Sequence, residues 1–476
     1  MKKTIVKSKP DLNQASKRTA GIIETIRFDI NAVDSLIGQG KLANVQTYGC
    51  QGNVADGDAI IGLLEKLGYK ITDDENQADL ILLNTCAVRE GAENKIWGIV
   101  GRLKRVKKAR NGVLIGLCGC MAQEETTITT IQEKYPQIDL VFGTHNIHEL
   151  PHMLKQAMSG QKLIQVYSDS STIVEELPRV REYKHKAFVN IMYGCDEFCS
   201  YCIVPYTRGK KRSRAKADIF KEIDDLILSG YSEITLLGQN VNAYGTDFED
   251  SSYSFGDLLD DLAKTNLKRL RFTTNHPHYL DEKTIKAMAN HSMIMPHLHL
   301  PVQAGSNRVL ELMNRKYTKE EYLEKINLLK VLVPGISITT DIIVGFSGES
   351  QKDFEETLDL VKEAAFEGAF TFIYSKREGT PAALFKDDTS IEEKKLRLKT
   401  LNTVVNEGYL KGHKRFVGEI VEVLVDGVSK NNELILSGYS QHNKLVNFPG
   451  DKSLIGKLVS VKITKANTWF MSGELI

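Results

Sequence analysis

The chain has 476 residues, 42% hydrophobic and 26% charged, with a formal net charge of +1. At about 150 residues per domain, this describes roughly three domains of an ordinary globular protein, with enough chain to bury real cores. The near-zero charge excludes a global field that would attract nucleic acid, so any RNA binding has to come from local patches.

No apolar run approaches the ~18 residues of a membrane helix. The opening MKKTIVKSKPDLNQASKRTAG lacks the apolar core and cleavage site of a signal peptide. A cytoplasmic protein is expected, with no membrane partner. Thiols stay reduced there, so the seven cysteines read as ligands or catalysts rather than disulfides.

Residues 1–40 are polar with weak periodicity and read as an N-terminal tail with at most one short helix. Regular patterning begins in the next unit, residues 41–166. ANVQTYG, DLILLNT, GVLIGLCG and DLVFG read as strands, with helical stretches between them. That alternation predicts a doubly wound parallel α/β domain. A polar stretch around YSDSSTIVEELPRVREYKHK separates it from residues 181–410. There AFVNIMYG, SEITLLG, LKRLRFTT, HLHLPV, ISITTDIIVGF and AFTFIYS read as strands. In ADIFKEIDDLILSG, Ile219, Ile223, Leu226 and Ile227 share one face at helical spacing. Six strand–helix units predict a partial (βα)6 barrel, because eight would need more chain. Residues 411–476 change texture to short β-type runs broken by Gly, Asn and Asp, which predicts a small all-β barrel.

Cys195, Cys199 and Cys202 form CxxxCxxC in GCDEFCSYC, in the loop after the first barrel strand. Three thiolates on one short loop can hold three irons of a cubic cluster and leave the fourth open to a small molecule. The alternative is a structural zinc knuckle, for which His185 is the fourth ligand that can be proposed. Cys50, Cys86 and Cys120 are far apart in sequence, yet each follows a predicted strand of the first domain. The carboxyl ends of neighbouring parallel strands form one rim, so these three can converge. Gly49 and Gly119 beside them would let backbone approach a bulky cluster. The alternative is three unrelated buried cysteines. Cys118, inside an apolar strand, reads as core.

Both cysteine sets, in this order, resemble the methylthiotransferases of the radical S-adenosylmethionine (radical SAM) enzymes. The resemblance is carried by TYGCQGN, LLNTCAVRE, GCMAQEE, GCDEFCSYCIVPYTRG, LLGQNVNAYG, HLPVQAGS, TDIIVGFSGE and YSKREGTPAA and covers roughly residues 43–476. Within the family the chain is most similar to the members acting on transfer RNA. The resemblance implies a radical SAM barrel in the middle and a TRAM-like RNA-binding barrel at the C-terminus. It implies two 4Fe-4S clusters, one on Cys195, Cys199 and Cys202 and an auxiliary one on Cys50, Cys86 and Cys120. S-adenosylmethionine would serve as both methyl donor and radical source, with Tyr201 near its adenine. The implied reaction inserts sulfur at C2 of isopentenylated adenosine in the anticodon stem-loop and methylates it. An aromatic C–H offers no acidic proton and no leaving group, so cofactor radical chemistry is required. A flavodoxin or ferredoxin is the implied reductant, and a monomer is expected.

Asn240, Gln303, Ser306 and Arg315 fall after predicted strands, where a parallel barrel lines its site, and are candidate S-adenosylmethionine contacts. His297 and His299 alternate within a strand and read as packing or polar lining. RGKKRSRAK supplies Arg208, Lys210, Lys211, Arg212 and Arg214 as a candidate grip on RNA phosphates; the alternative is a solvated loop. GRLKRVKKAR reads as a solvated helix face. Gly52 and Gly57 depart from the Met and Ser common in the family, and Tyr439 from an Arg. Two other readings stay open: the same chemistry on a ribosomal protein or on threonylcarbamoyladenosine, and a non-enzymatic iron–sulfur RNA-binding protein.

Overall fold

A computed structural model describes residues 23–29, 36–87, 90–167, 171–250, 252–430 and 432–476. Strand β1 (Glu24–Arg27) precedes a parallel sheet made of β2 (Leu42–Thr47), β3 (Lys70–Ile71), β4 (Leu80–Thr85), β5 (Leu114–Gly119), β6 (Leu140–Phe142) and β7 (Leu163–Gln165), in the order β3-β2-β4-β5-β6-β7. The central strand β4 is buried along its whole length, as expected for a strand covered on both faces. Helices Gln51–Lys66 and Leu150–Met158 cover one face through Ile60, Leu63, Leu64, Met153 and Leu154. Helices Glu90–Ala109 and Glu125–Lys134 cover the other through Ile96, Val100, Leu103, Ile128 and Ile131. The domain is doubly wound, with two edge strands, β3 and β7, beyond the four legible in the sequence. Strand β8 (Thr172–Glu175) pairs in parallel with β1. Residues Glu24–Arg27 of the presumed tail therefore form a strand, paired with a segment that reads as a spacer.

The central unit contributes β9 (Lys186–Asn190), the hairpin strands β10 (Met192–Tyr193) and β11 (Arg212–Ser213), then β12 (Glu233–Leu237), β13 (Arg269–Phe272), β14 (His297–His299), β15 (Ser337–Val344) and β16 (Ala369–Ile373). Strands β9-β12-β13 and β14-β15-β16 form two parallel three-stranded sheets. A parallel bridge from Leu270 to Ile294 joins them. The result is the six-stranded open barrel that the strand count predicts. Its core is one continuous cluster that includes Val189, Ile219, Leu236, Leu270, Leu298, Ile342 and Phe346.

The C-terminal unit closes β17 (Ile420–Ser429), β18 (Asn432–Ser440), β19 (Leu445–Pro449), β20 (Leu458–Ala466) and β21 (Met471–Leu475) into a barrel around Val423, Val425, Leu436, Phe448 and Val461. It docks at the strand starts of the central barrel. Arg269, fully buried, donates to the Glu422 carboxylate and carbonyl and to the Tyr439 carbonyl. Arg271 donates to the Ser440 and Gln441 carbonyls. Lys186 pairs with Asp426 at 2.6 Å and Lys444 with Glu367 at 3.0 Å. Among the described residues no helix is long and apolar enough to cross a membrane.

Candidate iron–sulfur and nucleotide site

Strands β2, β4 and β5 are consecutive neighbours in their sheet, and each is followed by one cysteine of the first trio. Neighbouring strands lie about 4.8 Å apart, so three adjacent strand ends converge by construction. Cys50 is the N-cap of helix Gln51–Lys66. The Cys86 thiol hydrogen-bonds to it and holds its pKa below the ordinary thiol range, helped by the Arg208 guanidinium and nearby backbone amides. Cys120 feels the charges of both Arg208 and Cys50, but burial dominates and pushes it up. Cys50 is thus in contact with Cys86 and within electrostatic reach of Cys120.

The strand ends are held by side chains that sequence reasoning missed. Asn53, fully buried, donates to the Thr85 carbonyl at 3.0 Å and lies 3.4 Å from Cys50 Sγ. Asn84 donates to the Asn53 carbonyl at 2.8 Å, and Thr85 to the Cys118 carbonyl at 2.6 Å. The available signal was two polar residues, Asn84 and Thr85, ending an otherwise apolar strand. Gly119 has φ +90°, and a β-carbon there would sit 2.5 Å from the Thr85 carbonyl oxygen. A β-carbon at Gly49 would strike Asn53 and Cys86. Both glycines therefore let protein segments approach each other closely beside the cysteines.

Of the two family departures in the first domain, only Gly52 faces the cysteines. A β-carbon there would lie 3.6 Å from Cys50 Sγ and 3.9 Å from Arg208. At Gly57 a β-carbon would instead strike Thr47, 2.6 Å from its hydroxyl.

Cys195, Cys199 and Cys202 share the loop between β10 and β11. This loop is sewn to the 312–314 turn: Ser200 donates to the Leu312 carbonyl at 2.7 Å, and Asn314 to the Phe198 carbonyl at 3.0 Å. Burial pushes Cys195 and Cys202 above the ordinary thiol range, so iron binding would displace protons from them. Among the described residues no three His, Cys, Asp or Glu side chains meet tightly enough for a single metal ion. An iron–sulfur cluster takes each thiolate on a different iron and so asks for a wider spacing than a single ion does. His185 sits at the start of β9, bonded to Asp426. That is the opposite end of a strand of about 16 Å from the cysteine loop, which removes the zinc-knuckle ligand.

The chain segments that carry the two trios pack against each other across one interface. Cys120, Ala87, Ile203 and Tyr206 form a single buried cluster with Phe198 against it. Thr144 donates to the Thr207 carbonyl at 2.8 Å, and Arg377 pairs with Glu93 at 2.5 Å.

The candidate nucleotide contacts divide. Arg315 is buried against Cys199 Sγ (3.3 Å), the Pro301 carbonyl (3.0 Å) and the Tyr317 hydroxyl (2.9 Å). Tyr201 packs edge-on to Phe346. Asn240 Oδ1 is buried without a protein partner, as a ligand contact would require. Gln303 adopts φ +71° where it bridges to Ile342. Ser306 departs from its expected role: its hydroxyl donates to Asp353 at 2.6 Å, so its proton anchors a helix start. His297 and His299 both bond Thr339, as polar lining.

The presumed phosphate grip is corrected for its three arginines. Arg208 pairs with Asp56 at 2.7 Å, and Arg214 with Glu175 and Glu222 at 2.6 and 2.7 Å. Arg212 is buried in β11. Asp56 and Glu175 are distant in sequence from the arginines they pair with, so the run by itself does not show that Arg208 and Arg214 are already paired. Lys210 and Lys211 stay partly exposed. On helix Glu90–Ala109, Leu103 and Val106 point inward while Lys104, Arg105 and Lys108 are exposed, the solvated face expected. Tyr439 gives its carbonyl to Arg269 and keeps its ring partly exposed.

Comparison with known proteins gives the chain's family and fold. Residues 189–361 match the radical SAM superfamily, 42–143 an uncharacterized protein family (UPF0004), and 414–476 the TRAM domain. The tRNA-2-methylthio-N(6)-dimethylallyladenosine synthase of Geobacillus kaustophilus is 51% identical over 98% of this chain and 88% of its own length. That of Bacillus cytotoxicus is 52% identical over 98% and 92%. The chain belongs to the tRNA-2-methylthio-N(6)-dimethylallyladenosine synthase family. In fold this synthase-family chain is similar to the radical S-adenosylmethionine methyltransferase TsrM of Kitasatospora setae, with TM-score 0.53, 15% identity and coverage of 72% and 77% of the two chains. Membership of the radical SAM superfamily implies a 4Fe-4S cluster and S-adenosylmethionine for the synthase family.

Proposed function

We propose that the chain converts N(6)-isopentenyladenosine beside the tRNA anticodon to its 2-methylthio derivative. The observation that carries the reading is the convergence of Cys50, Cys86 and Cys120 on three adjacent strand ends, packed against the loop of Cys195, Cys199 and Cys202. Each trio holds one 4Fe-4S cluster. When bound, the clusters and S-adenosylmethionine supply the electron, the radical, the sulfur and the methyl group.

The protein supplies position and dryness. Arg315 holds Cys199 from a buried pocket and orders the loop that carries it. The Ile203–Tyr206 cluster excludes water between the two cysteine sets. Tyr201 and Asn240 supply an aromatic face and an unspent acceptor for the nucleotide. The C-terminal barrel contributes RNA affinity from the strand-start end, so a tRNA touching both regions spans at least the ~16 Å of a barrel strand. We assign these tasks to residues 41–166, 181–410 and 411–476, acting in a cytoplasmic monomer fed electrons by a flavodoxin or ferredoxin.

Two measurements test the reading. Anaerobically reconstituted protein should hold roughly eight irons per chain; about four removes the auxiliary site. Nucleoside mass spectrometry of tRNA from a deletion strain should show loss of the 2-methylthio group from isopentenyladenosine. Unchanged tRNA redirects the chemistry to a ribosomal protein, and loss from threonylcarbamoyladenosine redirects it to that nucleoside.

A further inference from the structure

Arg208 belongs to the radical SAM domain by sequence, six residues after Cys202, yet its side chain ends in the other domain. It leaves the short helix Val204–Thr207 and its Nε–H donates to Cys120 Sγ at 3.1 Å. One terminal nitrogen pairs with Asp56 at 2.7 Å, with both side chains less than a tenth exposed. Burying a guanidinium costs several kcal/mol unless its protons are satisfied. The ion pair with Asp56 alone would serve as a domain strut. Aiming a further N–H at a sulfur does something else: it stabilises negative charge on that sulfur.

Hydrogen bonds to the ligating sulfurs are one of the determinants of an iron–sulfur potential. A cationic donor favours the more electron-rich state, so it raises the potential. We propose that Arg208 is a positioning residue of the auxiliary cluster, donating to the Cys120 sulfur so that docking of the radical SAM domain both orients that cluster and raises its reduction potential. This rests on the two-cluster reading. The donor arrives only when the domains are packed as described, so the property belongs to the assembled pair and not to the N-terminal domain alone.

The test uses full-length chain carrying Cys195→Ala, Cys199→Ala and Cys202→Ala, which leaves the auxiliary site alone. Iron content and the EPR-monitored midpoint potential are read for Arg208→Gln, Arg208→Lys and Asp56→Asn in that background. Arg208→Gln should retain about four irons and shift the potential negative by about 59 mV, a tenfold change in a one-electron equilibrium. Arg208→Lys should fall between. Asp56→Asn keeps the donor and should lower the melting temperature without a negative shift. An unmoved potential in Arg208→Gln with iron retained overturns the inference and leaves a strut. Loss of iron in both Arg208 variants with intact secondary structure overturns it too, in favour of a purely structural need. A parent protein that binds no iron overturns the auxiliary site itself, and the inference with it.

Discussion

Arg269 is the place to test whether the C-terminal barrel is rigidly docked. The side chain is 1% exposed and makes four hydrogen bonds across the domain boundary: two to the Glu422 carboxylate, at 3.1 and 2.9 Å, and one each to the Glu422 and Tyr439 carbonyls, at 2.8 and 3.1 Å. Arg269→Met keeps most of the volume and removes the donors. Each buried carbonyl left unpaired costs about 1–3 kcal/mol. The Glu422 carboxylate is 41% exposed, so it recovers water and its share is discounted to about 1 kcal/mol or less. The sum is about 4 kcal/mol, or three powers of ten in the docking equilibrium. Scanning calorimetry of the full chain should then resolve a separate, lower transition for the C-terminal barrel. Limited proteolysis should cut near Phe416–Glu419, between the long helix Ile391–Lys414 and β17. A single transition within about 0.5 kcal/mol of the parent would show that the arginine cluster adds nothing to docking.

Three further outcomes are expected. Cys199→Ala should abolish S-adenosylmethionine cleavage, whereas Cys86→Ala should leave some uncoupled cleavage and no methylthiolation; equal loss of both activities in a folded Cys86→Ala protein contradicts separate roles. Gly119→Ala, forced at φ +90° against the Thr85 carbonyl, should reduce iron from roughly eight to roughly four per chain by colorimetric assay. Gly112→Ala, at φ +88° with nothing within 4 Å, should cost about 1 kcal/mol and keep its iron. Burial beside the Arg415 guanidinium lowers His442 to about 4. Its neutral form is therefore favoured on folding, and the contribution is full above pH 6.5 and lost as pH falls towards 4. Between pH 6.5 and 5 that amounts to about 2 kcal/mol, and His442→Gln should remove this part of the melting-temperature slope in iron-free protein.

Legibility along the chain followed the range of the interactions. Strand β4 and its neighbours announced themselves because a strand buried on both faces must be apolar throughout. Strands β3 and β7, two and three residues long, carry too little pattern to read. Strand β1 exists because β8, almost 150 residues later, offers a ladder, and no local periodicity records that. The basic run failed for the same reason. Six cations in nine residues look like a phosphate grip or a solvated patch until Asp56 and Glu175 arrive from elsewhere in the chain and, with nearby Glu222, pair two of the buried arginines, Arg208 and Arg214.

Sequence alone determined the longer elements and the candidate ligands of the chemistry. Thiol spacing on one loop, and thiols at successive strand ends, are local facts that survive without coordinates. Only tertiary structure decided which domain faces which: that the C-terminal barrel grips the strand starts, and that Arg208 crosses from one cysteine set to the other. The reason is physical. Period and spacing report what a residue does to its near neighbours, whereas a buried ion pair depends on two chain segments that meet only after packing has excluded water.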